Sequence, residues 1–525
     1  MGLQIVPAVQ HRNDDDGPDW VPTPDSRVVL QARDALPLGD LADALARELG
    51  FRWPSLGPRP RGTRRELASG GSGWGARPGD AESRPGDIEL RLEPLEGVDL
   101  TPAQSAEAYR LTAGPVLAIT AATESGLFYG TRTLLQWLRT GTPVRGTVTD
   151  WPAYAQRGVM VDVGRKYFSP QWLARLIENM GWLKLNHLHL HLNDNVGVGL
   201  QCDSHPEIVS ETHLTYADLA GILAVAAAHH VTVVPEFDTP SHAAAIVAAH
   251  PGLAITDQHG NVEIDKLDVA RTEAQELVAD VVLEWAQHFP GPYFHLGGDE
   301  FFAAPWEPEE HRHPLRYPSL ARYAQALTGA PATPLDGYVL YLNRMAALLN
   351  AHGKRARVWN DHIHPGPGVA LDRGVDVEVW IRWNTSFPDA QDLHDAGYSL
   401  VNRNGDYLYF VLSSDSVPAV SGRKSAQGIY ELWHPHRFMG AAGGAADLDL
   451  DPTVPVAGAV MSIWCDHPPA MTEEQVAEQT LDWFRSLSQQ LWGSPKPAAT
   501  YVEFSELFEL VGTAPAAPER HFLGD

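Results

Sequence analysis

From Gly158 to Glu236 the chain reads GVMVDV (158–163), PQWLARLIENMGWL (170–183), NHLHLHL (186–192), YADLAGILAVAAAH (216–229) and TVVPE (232–236). Short β-rich runs alternate with amphipathic segments of helix length, the texture of βαβ units and a parallel sheet. The alternation continues through helix Val269–His288, strand Tyr293–Leu296, helix Tyr338–His352 and strands Ala356–Trp359, Val375–Trp380, Ser399–Val401, Gly428–Leu432 and Gly458–Trp464. It closes on helix Thr472–Trp492. About eight strands separated by helices predict an α/β fold, a parallel (β/α)8 TIM barrel over 149–525, although the sixth and seventh helices are poorly marked.

Upstream, strand Ile88–Leu92, a short helix Pro102–Glu107, strand Ala118–Ala121 and helix Ser125–Arg139 predict a small α/β domain over 1–148. Two stretches read as long loops. Trp53–Gly86 is rich in Gly, Pro, Ser and Arg, and Ala303–Gly337 carries repeated prolines with at most a short helix near Ser319–Leu327.

The bulk properties narrow the function. Of 525 residues, 44% are hydrophobic and 20% charged, as in ordinary globular proteins. Lys plus Arg number 39 against 66 Asp plus Glu, a net charge of −27 that repels phosphate backbones and anionic lipid. Neither nucleic acid nor membrane is expected as a partner. The longest apolar run, Leu219–Ala228, is too short to span a bilayer. Cys202 and Cys465 are too few for a disulfide framework or a four-ligand zinc site. Between Met1 and Asp16 no cationic stretch precedes an apolar core, so the expected compartment is the cytoplasm, or the exterior if a leader has been removed.

In such a barrel, function sits where strands end. The expected strand ends bring Asp194 and Asn195, Glu236 and Asp238 with His242, Asp299 and Glu300, Trp359 with Asp361, Trp380, Tyr407, and Trp464 with Asp466. Carboxylates alternating with aromatics suit a sugar, whose CH faces pack on rings while its hydroxyls need charged acceptors. The strongest element is His295-Leu296-Gly297-Gly298-Asp299-Glu300, two glycines that let the backbone turn and two adjacent acids. Adjacent residues cannot flank a glycosidic bond at the roughly 5–5.5 Å of a retaining pair or 6.5–9.5 Å of an inverting pair. One acid must therefore serve as acid/base, and the nucleophile must come from elsewhere.

These motifs carry a resemblance. Arg157 to Val163 followed by Arg165 and Phe168, then Asn186 to Asp194, Pro235 to His242 and His295 to Glu300, resemble family 20 glycoside hydrolases, the β-N-acetylhexosaminidases, in order and spacing. Trp359-Asn360-Asp361, Tyr407-Leu408-Tyr409 and Ser462-Ile463-Trp464 resemble the bacterial branch that includes dispersin B, and Phe128 to Gln136 is similar to the small domain that precedes the barrel in many members.

The resemblance implies release of a β-linked terminal N-acetylglucosamine, or N-acetylgalactosamine, with retention. The substrate's own 2-acetamido oxygen attacks the anomeric carbon and an oxazolinium forms. By the same resemblance Glu300 is the acid/base, Asp299 accepts the acetamide N–H, Tyr407 bonds the acetamide oxygen, and Asp194 and His242 form a relay behind Glu300. Arg157 holds sugar hydroxyls, and Trp359, Trp380 and Trp464 wall the pocket, the second wall being open between Trp380 and Trp383. Asp466 stands where many relatives carry a Glu that binds the 4- or 6-hydroxyl. The implied partner is a carbohydrate bearing a 2-acetamido sugar, with no cofactor and no metal.

Two other readings compete. His187, His189 and His191 share one strand face, as in metal-dependent amidohydrolase barrels. The pocket could also belong to a non-catalytic amino-sugar-binding protein, against which the retention of Asp299, Glu300, Asp194, His242 and Tyr407 together weighs.

Overall fold

Eight parallel strands close a barrel: Gln156–Asp162, His187–His191, Thr232–Glu236, Tyr293–His295, Arg355–Trp359, Asp376–Val379, Ser399–Asn402 and Val456–Trp464, the last hydrogen-bonded back to the first. The computed structural model describes residues 3–14, 17–23, 25–31, 34–52, 82–302, 313–366, 368–412 and 422–515. Most of these strands are buried on both faces, as parallel sheets covered by helices are. Helix starts follow their sequence signals. Ser169, Thr215, Thr333 and Thr472 each accept a backbone N–H of the first turn, and the last three form capping boxes with Asp218, Asp336 and Gln475.

Several expectations need correction. Gly428–Leu432 is not a strand but lies largely in the helix Ala426–Glu431, capped by Ser425. A short apolar run does not by itself distinguish a strand from a buried helical turn. The seventh place in the sheet is filled by Ser399–Asn402 and, nearer the mouth, by the short strand Tyr409–Val411, which pairs with Ser462–Trp464. The helices after the sixth and seventh strands, Ala390–Asp395 and Ala426–Glu431, have six residues each, too few to display a helical period. Within 303–337 the helix expected near Ser319–Leu327 is present as Pro318–Thr328, the next helix, Pro334–Ala351, begins four residues before the expected Tyr338, and 303–312 lie outside the described residues. The same holds for 53–81 of the other expected loop.

The leading region forms a mixed six-stranded sheet in the order His11–Asn13, Thr147–Asp150, Tyr109–Thr112, Leu117–Ala121, Ile88–Leu92, Val28–Leu30, with helices Ala35–Arg52 and Glu124–Arg139. It meets the N-terminal end of the barrel through buried charges. Lys184 Nζ donates to Asp150 Oδ2 and Tyr109 Oη, both at 2.9 Å. Arg157 Nη1 pairs with Glu107 at 2.7 Å, and its Nε donates to the Lys184 carbonyl at 2.8 Å.

This corrects the role expected of Arg157. It opens the first barrel strand, and at about 3.3 Å per residue it lies roughly 16 Å of strand below Asp162 and faces away from the mouth. Arg157→Ala is expected to cost about 3–5 kcal/mol, because Glu107 loses its buried partner. Urea unfolding would measure that loss, and KM for any substrate should stay unchanged.

Candidate active site

The acids and their relay gather at the C-terminal ends of the strands. Asp194 lies just past the second strand. Its Oδ2 accepts from His191 Nε2 at 3.0 Å and sits 3.4 Å from His242 Nδ1 and 2.7 Å from Arg165 Nη2. Burial opposes ionisation of Asp194, yet the bond from His191 and the nearby His242 imidazole hold its carboxyl far below the usual range. On the other side, His242 Nε2 is 3.5 Å from both Asp299 Oδ2 and Glu300 Oε2. Burial again disfavours charge, but Asp299, Asp238 and Asp194 raise the His242 pKa well above its ordinary value. The imidazolium thus bridges Asp194 to both acids. The Glu300 pKa is itself raised, chiefly by desolvation, which outweighs the nearby His242 cation and is reinforced by Asp299.

The backbone around these groups is bent into uncommon regions. His242 and Glu300 both have φ 53°, and Gly297 and Gly298 have 70° and 94°. A Cβ on Gly297 would lie 1.8 Å from Asp238 Oδ1 and 2.5 Å from its Cα, so only glycine fits there. Gly298 N–H donates to Asp238 Oδ1 at 3.0 Å, and Ser241 Oγ donates to the Asp299 carbonyl. The loops after the third and fourth strands are therefore locked together, and non-glycine residues at positive φ mark both as places where strain buys orientation. Asp299 is buried and its Oδ1 has no hydrogen-bond partner.

Aromatic rings line the space beside the acids. Trp359, Trp464, Met160, Val401 and Val460 form a small cluster of their own, joined by Trp380 and Tyr409. Trp380 and Tyr409 stack with an interplanar angle of 4° at 5.7 Å, and Tyr409 tilts against Trp464 at 5.8 Å. Trp380 and Trp383 both belong here: their Nε1 atoms donate to Asp361 Oδ2 and Oδ1, at 2.5 and 2.8 Å.

Tyr407 does not belong. Its hydroxyl donates to Asp447 at 3.0 Å in a turn that precedes the strand Tyr409–Val411. Tyr409 is the tyrosine of the pocket wall, stacked on the Trp380 ring whose Nε1 bonds Asp361 and tilted against Trp464. Arg165, not Arg157, is the arginine that stands at the mouth beside the acids. It pairs with Asp162 and Asp194 at 2.9 and 2.7 Å, approaches Asp466 at 3.8 Å and lies over the Trp464 ring at 5.4 Å. Asp466 stands on the rim with its side chain 57% exposed.

Asp361 ties a titratable group to the tryptophan wall. Burial, then Asp299, raise its pKa to about 8 against the bonds from the two indoles. A carboxyl raised in the folded state keeps its proton after the unfolded chain has released it, so stability falls as pH rises from the ordinary carboxylate range to about 8 and is level above that. Tryptophan fluorescence is expected to change with a midpoint near 8, and the change should vanish in Asp361→Asn.

Below the mouth lies a polar barrel core. Glu236 Oε1 accepts from Trp359 Nε1 at 2.7 Å, and Oε2 contacts His191 Nδ1 at 2.5 Å and His189 Nε2 at 3.0 Å. Glu236 therefore ties the pocket floor to the His191–Asp194–His242 chain. Arg403 pairs with Glu378 at 2.5 Å and donates to His189 Nδ1, while Gly297 N–H donates to His295 Nδ1 at 3.0 Å. His189, Glu236 and His295 come close enough to hold a metal, but these donors occupy an imidazole lone pair on each histidine. His187, His189 and His191 sit at successive heights. Among the described residues, no group of three ligand atoms within 4.8 Å contains two of them, which runs against the amidohydrolase reading.

Strand-end reading singled out Glu236 and Asp361 without giving them a task. Arg165, Tyr409, Glu378 and Arg403 do not stand at expected strand ends, and their contacts with Asp194, Trp464, Arg403 and His189 span 25 to 214 positions.

The arrangement of relay, acids and aromatic wall agrees with two family models that match consecutively: "Glycosyl hydrolase family 20, domain 2" over residues 2–151 and "Glycosyl hydrolase family 20, catalytic domain" over residues 154–492. The chain belongs to glycosyl hydrolase family 20. Among its relatives is a lacto-N-biosidase of Bifidobacterium bifidum, 27% identical over 81% of this family 20 chain and 36% of the relative. A β-hexosaminidase of Akkermansia muciniphila is 28% identical over 65% of this chain and 72% of its own. This chain spans 36% of the biosidase and 47% of a β-hexosaminidase subunit from Dictyostelium discoideum. The fold is shared with the family 20 β-N-acetylhexosaminidase of Streptomyces coelicolor, with a TM-score of 0.69, 23% identity and 97% of each chain covered.

Proposed function

We propose that this family 20 chain is a β-N-acetylhexosaminidase that removes β-linked 2-acetamido sugars with retention, by the substrate-assisted route. The observation that carries the reading is Asp299. It is a buried carboxylate with an unpartnered oxygen, beside the Glu300 acid and a wall of Trp359, Trp380, Trp464 and Tyr409. A buried acceptor left without a donor is costly, and an acetamide N–H supplies that donor. The wall suits the acetamide methyl, and Tyr409 Oη is the donor for its oxygen. As that oxygen attacks the anomeric carbon, Glu300 gives its proton to the leaving oxygen, and Asp299 stabilises the positive charge on the ring that forms. In the second half-reaction Glu300 takes a proton from water, with His242 and Asp194 balancing its charge. Arg165 is placed to bind sugar hydroxyls with its guanidinium fork, and Asp466 to accept one at the rim.

A chromogenic aryl β-N-acetylglucosaminide, run beside its galacto epimer and a chitin oligomer, tests the reading. Release of the β-configured sugar as first product supports it, and no hydrolysis of any of the three rejects it. Exhaustive EDTA treatment should leave the rate unchanged, and loss of turnover would restore the amidohydrolase alternative. A second reading, release of a two-sugar unit, is favoured by the reach of the match to the lacto-N-biosidase, 81% of this chain. An aryl glycoside carrying a further sugar on the 2-acetamido residue separates the two by which aryl glycoside is cleaved faster.

A further inference from the structure

Away from the mouth, a second set of donors closes on itself. His205 and Glu207 lie on the excursion after the second barrel strand, Glu207 within the single turn Pro206–Ile208, and His250 ends the helix Ala244–Ala249 after the third strand. Glu207 Oε1 is 3.0 Å from His205 Nδ1 and 2.8 Å from His250 Nε2, and the three ligand atoms all fall within 4.8 Å of one another. Zinc holds nitrogen and oxygen ligands at about 2.0–2.2 Å in a tetrahedron, which spaces them roughly 3.3 Å apart. The three donors are therefore close to a facial ligand set already.

The other side of His205 adds an independent observation. Its Nε2 is buried and faces Asp280 Oδ2 at 3.5 Å, on the helix Thr272–His288. A carboxylate behind an imidazole fixes the tautomer and directs the opposite lone pair at a metal. With the proton on Nε2, His205 Nδ1 and Glu207 Oε1 are two acceptors 3.0 Å apart, the spacing of neighbouring ligands in one coordination sphere. The barrel-core cluster differs, because Arg403 and the Gly297 N–H donate to its imidazoles.

We propose that His205, Glu207 and His250 form a binding site for a divalent metal of the zinc class, with Asp280 orienting His205 and water completing the coordination. Imidazole donors favour zinc and its transition-metal neighbours over calcium and magnesium. The metal joins the excursion that begins at Asp194 to the helix that follows His242. These loops are otherwise tied by Ala244 N–H donating to Asn195 Oδ1 at 3.2 Å. Its role is a brace outside the reaction, independent of which glycoside is cleaved.

Calorimetric titration of the full chain with zinc chloride, after stripping with EDTA and removal of the chelator, tests the site. One equivalent is expected to bind. Affinity should fall at least tenfold in His250→Ala and Glu207→Gln, and about tenfold to a hundredfold in Asp280→Asn. Calcium chloride should give no heat. Zinc should raise the thermal midpoint of the wild type and not that of the His205→Ala/His250→Ala double variant. No uptake, or equal uptake by wild type and double variant, overturns the proposal. Should the double variant fail to fold, Glu207→Gln decides in the same way, since that side chain is 43% exposed and outside the core.

Discussion

Glu300→Gln is expected to lower kcat on substrates with unactivated leaving groups by about 10²–10⁴-fold, the usual contribution of a positioned proton donor. On an aryl glycoside whose leaving group departs without a proton, the loss of glycosylation rate should be far smaller. Equal loss on both classes would remove Glu300 from the acid role. The pH profile supplies a second readout. Desolvation raises the Glu300 pKa, against the pull of the His242 cation. The acid form, and with it activity, is therefore present at low pH and lost as pH climbs past the raised value, giving an alkaline limb in kcat/KM. That limb should vanish in Glu300→Gln. In His242→Phe it should move to higher pH, because removing the imidazolium removes the influence that lowers the Glu300 pKa. A shift to lower pH would contradict the arrangement of His242 3.5 Å from the acid.

The contrast between Arg157 and Arg165, and between Tyr407 and Tyr409, shows what a sequence can and cannot carry. Both arginines flank the same strand and both tyrosines precede the same loop, so residue type and motif order leave each pair equivalent. What separates them is direction along the barrel axis. Arg157 enters Gln156–Asp162 at the bottom, while Arg165 leaves it at the top. Tyr407 stands in a turn, while Tyr409 begins a strand only three residues long. An element that short shows no alternation, so its place beside Trp464 emerges only from pairing with the eighth strand.

The longer elements were legible for the opposite reason: Pro170–Trp182, Thr272–His288 and Glu473–Trp492 run long enough to display a period, and their caps or flanking charges mark the ends. His295 to Glu300 was legible as chemistry because two glycines before two acids leave few structural explanations. The polar core was not. Glu236 meets Trp359 across 123 positions and His191 across 45, and alternation assigns a face without naming who stands opposite.

The reading of Asp299 is the most exposed to refutation. Its Oδ2 lies 3.5 Å from His242, and its buried Oδ1 has no protein partner. If that oxygen accepts the acetamide N–H, it both turns the carbonyl oxygen toward the anomeric carbon and faces the cation that ring closure creates. Both contributions grow toward the transition state, so Asp299→Ala should reduce kcat by about 10²–10³-fold with a much smaller change in KM. A thiazoline analogue, which carries the shape of the cyclised intermediate, should lose a comparable share of its affinity for the variant. A sugar bearing a plain 2-hydroxyl should be turned over no worse by the variant than by the wild type. Folding should be intact, since Asp299 Oδ1 bonds no protein donor and the loop is held through backbone groups, Ser241 Oγ to the Asp299 carbonyl and Gly298 N–H to Asp238. Removing the Asp299 charge gives a signature independent of turnover: the tryptophan titration assigned to Asp361 should move below its midpoint of about 8 in Asp299→Ala. A variant that folds, keeps kcat within a few-fold and binds the thiazoline like the wild type would show that the acetamide is held by other groups, and with it the substrate-assisted reading of this site would fall.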